Sequence, residues 1–183
     1  MAPEAVRISE IPVHGPLFEG AMAVYGEAFA RPPYSDLDRG AEIRLRLRDT
    51  HARRTGFRLL AATGHPERVV GMAYGYHGEP GQWWHDTVLK RVTPEGAADW
   101  FGDSYELVEL AVHPDFQCRG IGTALVEGLL RGRPERTCVL STRTDSEAHR
   151  LYSRLGFEHI IEMTFTAGGW PFYVMGKRLG ADR

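Results

Sequence analysis

Three features of this 183-residue chain have residue types and spacing that could do chemistry. The run Gln117-Cys118-Arg119-Gly120-Ile121-Gly122 sets two glycines, a cation and an amide side chain directly ahead of an apolar-periodic segment. A glycine-rich loop that opens a helix gathers backbone N–H groups around one point, which suits a phosphate or pyrophosphate. Glu106 and Glu109 lie just upstream of this run, and Tyr152 lies downstream. A carboxylate can accept a proton and a phenol can supply one, the two halves of general acid–base catalysis.

The elements that must position these groups follow from hydrophobic periodicity. Val6–Ile11 alternates as a strand would. Leu17, Phe18, Ala21, Met22, Tyr25 and Phe29 recur at helical steps, and Arg31-Pro32-Pro33 ends that helix. A second helix is expected from Ser35 or Asp36 to Arg53, although Ile43, Leu45 and Leu47 would also suit a strand. Phe57–Ala62 and Arg68–Tyr76 predict a hairpin turned at Thr63-Gly64-His65-Pro66-Glu67. His77–Asp103, with its glycines, prolines and Trp83, Trp84 and Trp100, reads as an irregular segment packed against something.

Leu107–Val112 is an apolar run interrupted by Glu109, as in a central strand. Thr123–Arg131 predicts a helix stopped by Gly132 and Pro134, and Thr137–Thr142 a buried strand. A strand, helix, strand order of this length requires a parallel pair. Thr144-Asp145-Ser146-Glu147 reads as a capping box, with Ala148, Leu151, Tyr152 and Leu155 as the following apolar stripe. Gly156 suits a left-handed helix end, with Phe157 as its hydrophobic contact. His159–Thr166 and Phe172–Leu179 close the chain as strands.

Two motifs together carry a resemblance. One is Gln117-x-x-Gly120-x-Gly122 after a strand ending Leu110-Ala111-Val112-His113-Pro114; the other is Ala148-x-x-Leu151-Tyr152-x-x-Leu155-Gly156-Phe157. In these the chain resembles the GNAT superfamily of acyl-CoA-dependent N-acyltransferases. The resemblance implies an α/β fold: one domain over residues 1–183, with a mixed, twisted central sheet of about seven strands flanked by helices. The cofactor-binding core would span 105–157.

It further implies acetyl-CoA as co-substrate, without a metal. Contacts would come from Leu110, Ala111 and Val112 along the strand, then from Gln117, Cys118, Arg119, Gly120, Ile121, Gly122 and Thr123. Asp145 and Ala148 would add to these at the next helix. Gly120 and Gly122 admit the pyrophosphate to the backbone, and the helix adds its positive end. Many family members have asparagine where this chain has Asp145, whose charge does nothing for an anionic ligand.

By the same resemblance, Tyr152 is the candidate acid for the departing thiolate. An ammonium of pKa about 10 must also lose a proton before attack. Glu106 and Glu109 are the candidate bases. Simple alternation points them to opposite faces of their strand, and Glu109 is slightly favoured because it interrupts an apolar run. The implied reaction is direct transfer of acetyl to a primary amine, on a small molecule or a peptide. A protein N-terminus or lysine is one alternative acceptor, and a catalytically silent acyl-CoA-binding domain is the alternative function.

Other classes fit less well. Leu125 replaces the third glycine of a dinucleotide-binding GxGxxG. The eight histidines show no HExxH or clustered spacing for a metal. A net charge of −2 gives no general attraction to nucleic acid or membrane, and the arginines between Arg39 and Arg58 read as a solvated helix face. No run approaches the roughly 18 apolar residues of a membrane span. Two distant cysteines and a charged Met1–Glu10 without a signal-peptide core predict a cytoplasmic protein. The tryptophan-rich segment suits a homodimer contact.

Overall fold

A computed structural model of the chain describes residues 6–64 and 68–180. The centre of the expected turn at His65-Pro66-Glu67 lies outside the described residues, as does the start of Met1–Glu10. The elements, in order, are β1 (Arg7–Glu10), α1 (Pro16–Phe29), α2 (Arg39–Asp49), β2 (Arg58–Thr63), β3 (Val69–His77), α3 (Trp83–Val92), β4 (Ser104–Val112), α4 (Ile121–Leu130), β5 (Thr137–Arg143), α5 (Ala148–Arg154), β6 (Glu158–Thr164) and β7 (Pro171–Arg178). The strands form one seven-stranded mixed sheet in the order β1-β2-β3-β4-β5-β7-β6. β1 pairs with β2 and β2 with β3 antiparallel, and β7 pairs antiparallel with both β5 and β6. The expected parallel pair is β4 with β5, registering Ser104, Tyr105 and Glu106 against Thr137, Cys138 and Val139.

The chain groups into two compact units. The first runs up to Tyr76 and adds Glu109–Arg131. Here α1 buries Phe18, Ala21, Met22, Val24, Tyr25 and Phe29. α2 settles the helix-or-strand ambiguity, because Ile43 and Leu47 are buried whereas Leu45 is 63% exposed. Burial at a spacing of four is a helix face, and the period-two coincidence at Leu45 points to solvent. The helix begins at Arg39, later than expected, because the Asp36 side chain accepts the N–H groups of Asp38 and Arg39, each at 3.1 Å. Two glycines bring α1 and α2 together: a Cβ on Gly40 would lie 3.1 Å from the Gly26 Cα.

α4 sits on its strands through the same device. A side chain at Gly71 would meet the Leu125 and Ile121 side chains and the Ala111 carbonyl at 3.0–3.2 Å. Its last turn is held by Arg58, whose Nη1 donates to the Gly128 and Leu129 carbonyls at 3.3 and 3.2 Å. A cation at that end also meets the negative pole of the helix. Both contacts fix where the opposite end of α4 points.

The second unit comprises His77–Val108 and the described residues from Gly132 on. It corrects one expectation: His77–Asp103 is not irregular but contains α3 and a 3₁₀ turn over Ala98–Phe101. His85, Val88 and Val92 are its buried positions, a helical stripe only three residues long and opened by a histidine. Pro80, Gly81, Pro94 and Gly96 bracket this ten-residue helix and do not mark a loop. Val88 and Val92 join Phe101, Val139, Met163 and Val174 in the core, and the Trp84 indole donates to Ser141 Oγ at 2.9 Å.

A second correction concerns the start of α5. Thr144 and Glu147 form no capping box, since the Thr144 N–H is committed to the Pro171 carbonyl at 3.1 Å. Ser146 Oγ takes the Ala148 N–H at 3.2 Å instead. The far end of α5 is as expected: Gly156 adopts φ 86°, and the Phe157 N–H reaches back to the Tyr152 carbonyl at 3.0 Å.

Candidate functional site

In the first unit, the loop from Gln117 ends at Gly120, which takes the left-handed conformation (φ 80°, ψ 0°) and starts α4. No side chain caps this helix, and its first turn carries no acidic residue. The positive end of α4 at Ile121, Gly122 and Thr123 is therefore not met by any carboxylate of its own. A Cβ at Gly120 would meet nothing within 4 Å, so the loop opens outward there. A cavity of about 250 Å³ adjoins it, lined by Val6, Gly64, Phe116, Arg119, Gly120, Ile121 and Ala124.

The side chains of the loop support it from within. Arg119 donates to the Asp115 carbonyl at 2.8 Å and lies over the Phe116 ring. Gln117 donates to the Val112 carbonyl at 3.1 Å, so its amide braces the end of β4. Cys118 is exposed and holds φ 59°, a conformation unusual for a side-chain-bearing residue. His113 joins strand to loop: its Nδ1 accepts the Asp115 N–H at 3.2 Å, and its Nε2 lies 2.8 Å from Glu27.

β4 has two different edges. The His113 N–H donates to the Val70 carbonyl at 2.9 Å, fixing which peptide groups face β3. Backbone groups alternate along a strand, so those of Leu110 and Val112 face away from β3, while that of Ala111 faces towards it. The β4–β5 ladder is confined to the three pairs that end at Glu106 and Val139.

The two carboxylates differ in surroundings. Glu109 belongs to the first unit, where its side chain is 11% exposed. Burial raises its pKa above the usual carboxylate range, and Arg39, 3.6 Å away, and the Tyr25 hydroxyl oppose that rise. Arg39 Nε in turn donates to Tyr25 Oη at 2.7 Å. Glu106 belongs to the second unit, where it is buried and helps raise the Cys138 thiol pKa, an effect chiefly due to burial.

Tyr152 is also in the second unit, on α5, 6% exposed and edge-on to Phe157 with centroids 5.6 Å apart. Ala148 opens the same helix. Asp145 accepts two hydrogen bonds from Arg143, at 2.9 and 2.6 Å, which hold its carboxyl below the ordinary range. The charge that is awkward for an anionic ligand is thus already matched by a cation.

Two residues of this arrangement were not legible in the sequence. Tyr25 reads as one more position of an apolar stripe, and Arg39 as part of a solvated basic face. Arg39 is instead two-thirds buried on its side chain and lies over the Phe29 ring at 4.2 Å. Only the close α1–α2 approach at Gly26 and Gly40 brings these residues together. Among the described residues, no three His, Cys, Asp or Glu side chains group as metal ligands, and no helix is long and apolar enough to cross a membrane.

The loop geometry predicts the effect of one substitution. Gly120→Val should weaken CoA binding by at least about tenfold, since the left-handed conformation costs a residue with a Cβ about 1–2 kcal/mol and valine branches into the approach path. Calorimetric titration with CoA checks this, and undiminished affinity would remove the loop from the site.

Comparison with known proteins bears on this arrangement. The family model described as Acetyltransferase (GNAT) domain matches residues 61–159. A GCN5-like protein acetyltransferase of Mycobacterium tuberculosis is 40% identical over 121 residues, covering 61% of this chain. The chain spans about three fifths (59%) of that protein's length. Among solved structures, a candidate GNAT-family acetyltransferase from Desulfovibrio desulfuricans superposes with TM-score 0.67 at 19% identity, covering 96% of this chain and 100% of that one. PaiA N-acetyltransferase from Thermoplasma acidophilum, solved in complex with coenzyme A, gives TM-score 0.59 at 14% identity, covering 96% and 99%. At such identities the structural likeness speaks for the fold.

Proposed function

Because this chain belongs to the GNAT acetyltransferase family, we propose that it moves an acetyl group from acetyl-CoA to a primary amine by direct attack in a ternary complex. The observation that carries this reading is the uncapped, acid-free start of α4 behind the left-handed Gly120. Those amides and the nearby Arg119 suit a doubly charged pyrophosphate. The backbone of Leu110 and the Val112 N–H, which face away from β3, suit an extended amide-bearing arm paired as an added strand, the Val112 carbonyl being taken by Gln117. Residues 1–183 would act as one acetyltransferase domain. A cytoplasmic setting accords with two free cysteines.

Bound acetyl-CoA supplies an activated thioester. Glu109 takes the proton from the acceptor ammonium, directly or through a water, and frees the amine lone pair for attack on the carbonyl carbon. Tyr152 gives its phenolic proton to the sulfur as the C–S bond breaks, and the second proton of the attacking nitrogen restores the phenol, leaving a neutral amide and a free thiol. Backbone N–H groups of β4 would serve as donors for the carbonyl oxygen as it gains charge. Neither cysteine is needed as a covalent carrier. Cys138 is buried with its thiol pKa pushed up, so it is a poor nucleophile.

A protein amine is the favoured class of acceptor, because the mycobacterial relative is named a protein acetyltransferase. Thiol release measured across a panel of small amines, lysine peptides and free peptide N-termini tests both parts of the reading. Turnover on peptides is the expected result. Turnover on small amines alone would overturn the acceptor class, and tight CoA binding without turnover on any amine would leave a silent binding domain.

A further inference from the structure

We propose that Arg39 is the positioning residue for the Glu109 base, acting through a charge relay with Tyr25 inside the first unit. This rests on the role given to Glu109 above. Arg39 opens α2, where the Asp36 turn fixes its backbone, and Gly40 beside it lets the helix start press against Gly26 of α1. The guanidinium packs over Phe29 at 4.2 Å and within 5.4 Å of the Tyr34 ring. Its Nε donates to Tyr25 Oη at 2.7 Å, its Nη2 lies 3.6 Å from Glu109 Oε1, and the Tyr25 hydroxyl hydrogen-bonds the same carboxylate.

Each contact bears on a requirement of the base. A carboxylate this buried would otherwise hold its proton at neutral pH and could not accept another. One fixed cation and one phenol donor oppose the rise in pKa that burial causes and hold the carboxyl in a single orientation. The arrangement still leaves it more basic than an exposed glutamate, as proton abstraction from an ammonium favours. The charged and titratable groups facing it are Tyr25 from α1, Arg39 and Arg46 from α2, and Tyr74 from β3. Tyr74 Oη is shared with His51 Nδ1 at 2.9 Å, and burial pulls the pKa of that histidine down to about 3. His51 therefore adds no competing positive charge at working pH. Of the two arginines, Arg39 is the one paired directly with the carboxylate.

The test is the pH profile of kcat/KM for the full chain and its Arg39→Met, Arg39→Lys and Tyr25→Phe variants. Direct titration of the Glu109 carboxyl by carbon-13 NMR accompanies it, assigned by loss of the signal in Glu109→Gln. Removing the cation should move the acid limb, and the carboxyl titration with it, upward by about 1 pH unit. Activity then drops at neutral pH and recovers in alkali. Arg39→Lys should stay near the wild-type limb, and Tyr25→Phe should move it in the same direction as Arg39→Met by less. A uniform loss at every pH, with the carboxyl titrating where it does in the wild type, would overturn the proposal. If Arg39→Met does not fold, Tyr25→Phe and the NMR titration decide. Failure of the underlying reading looks different: Glu109→Gln would keep wild-type kcat/KM and its acid limb.

Discussion

Tyr152→Phe is expected to lower kcat by about 10–1,000-fold, a magnitude typical of general acid catalysis, while CoA affinity stays near the wild-type value. The ring is what α5 uses structurally. It is buried edge-on to Phe157, and the helix end behind it is fixed by Gly156 in the left-handed conformation. Phenylalanine keeps the ring contact and removes the hydroxyl. Steady-state thiol release, with calorimetric CoA binding as control, separates a chemical loss from a binding loss. The leaving thiol has a pKa near 8.5, so a thiolate expelled without a proton donor is a poorer leaving group than the thiol. Unchanged kcat across the pH range would remove Tyr152 from the mechanism. A matched loss of CoA affinity would recast it as a packing residue.

How much of this was visible in the sequence depends on the range over which each feature is determined. Gly120, Gly122 and Gly156 are local instructions. Two of them adopt the left-handed conformations their neighbours demand; α4 starts directly after Gly120, two residues ahead of the expected Thr123, so that Gly122 lies in its first turn, and α5 ends just before Gly156. The β4–α4–β5 segment was equally legible, because a long crossover leaves a parallel pair as its natural outcome. α3 was not. Its buried stripe is short, and its flanking Gly and Pro residues signal turns more loudly than His85, Val88 and Val92 signal a face. The capping box failed for a similar reason: the backbone of Thr144 is claimed by Pro171, a partner distant in sequence. Arg39 is the extreme case. Nothing in a run of arginines distinguishes the one that a glycine-glycine helix contact presses into the interior from those left in solvent.

Glu109→Gln is expected to lower kcat/KM by about 100–10,000-fold at neutral pH, the span for loss of a general base, whereas Glu106→Gln should leave the pH profile in place. The contrast follows from what surrounds each group. Glu109 is met by a fixed cation and a phenol donor, and burial raises its pKa above the usual carboxylate range, which makes it a stronger proton acceptor than an exposed glutamate. Glu106 sits on the short stretch of β4 still laddered to β5, beside a buried thiol whose pKa is raised chiefly by burial. The backbone at Glu106 is already paired with β5, so no added arm can pair there. The sign of the pH effect is fixed by the proton count. The base works as a carboxylate, so activity falls as pH drops through its raised pKa, and the glutamine variant loses that acid limb along with its rate. Kinetics on both variants between acid and alkaline pH, with thermal unfolding to confirm the fold and calorimetry to confirm CoA affinity, measures this directly. If the acid limb vanishes in Glu106→Gln and survives in Glu109→Gln, the base lies on the other face of β4, and the Arg39 relay serves stability alone.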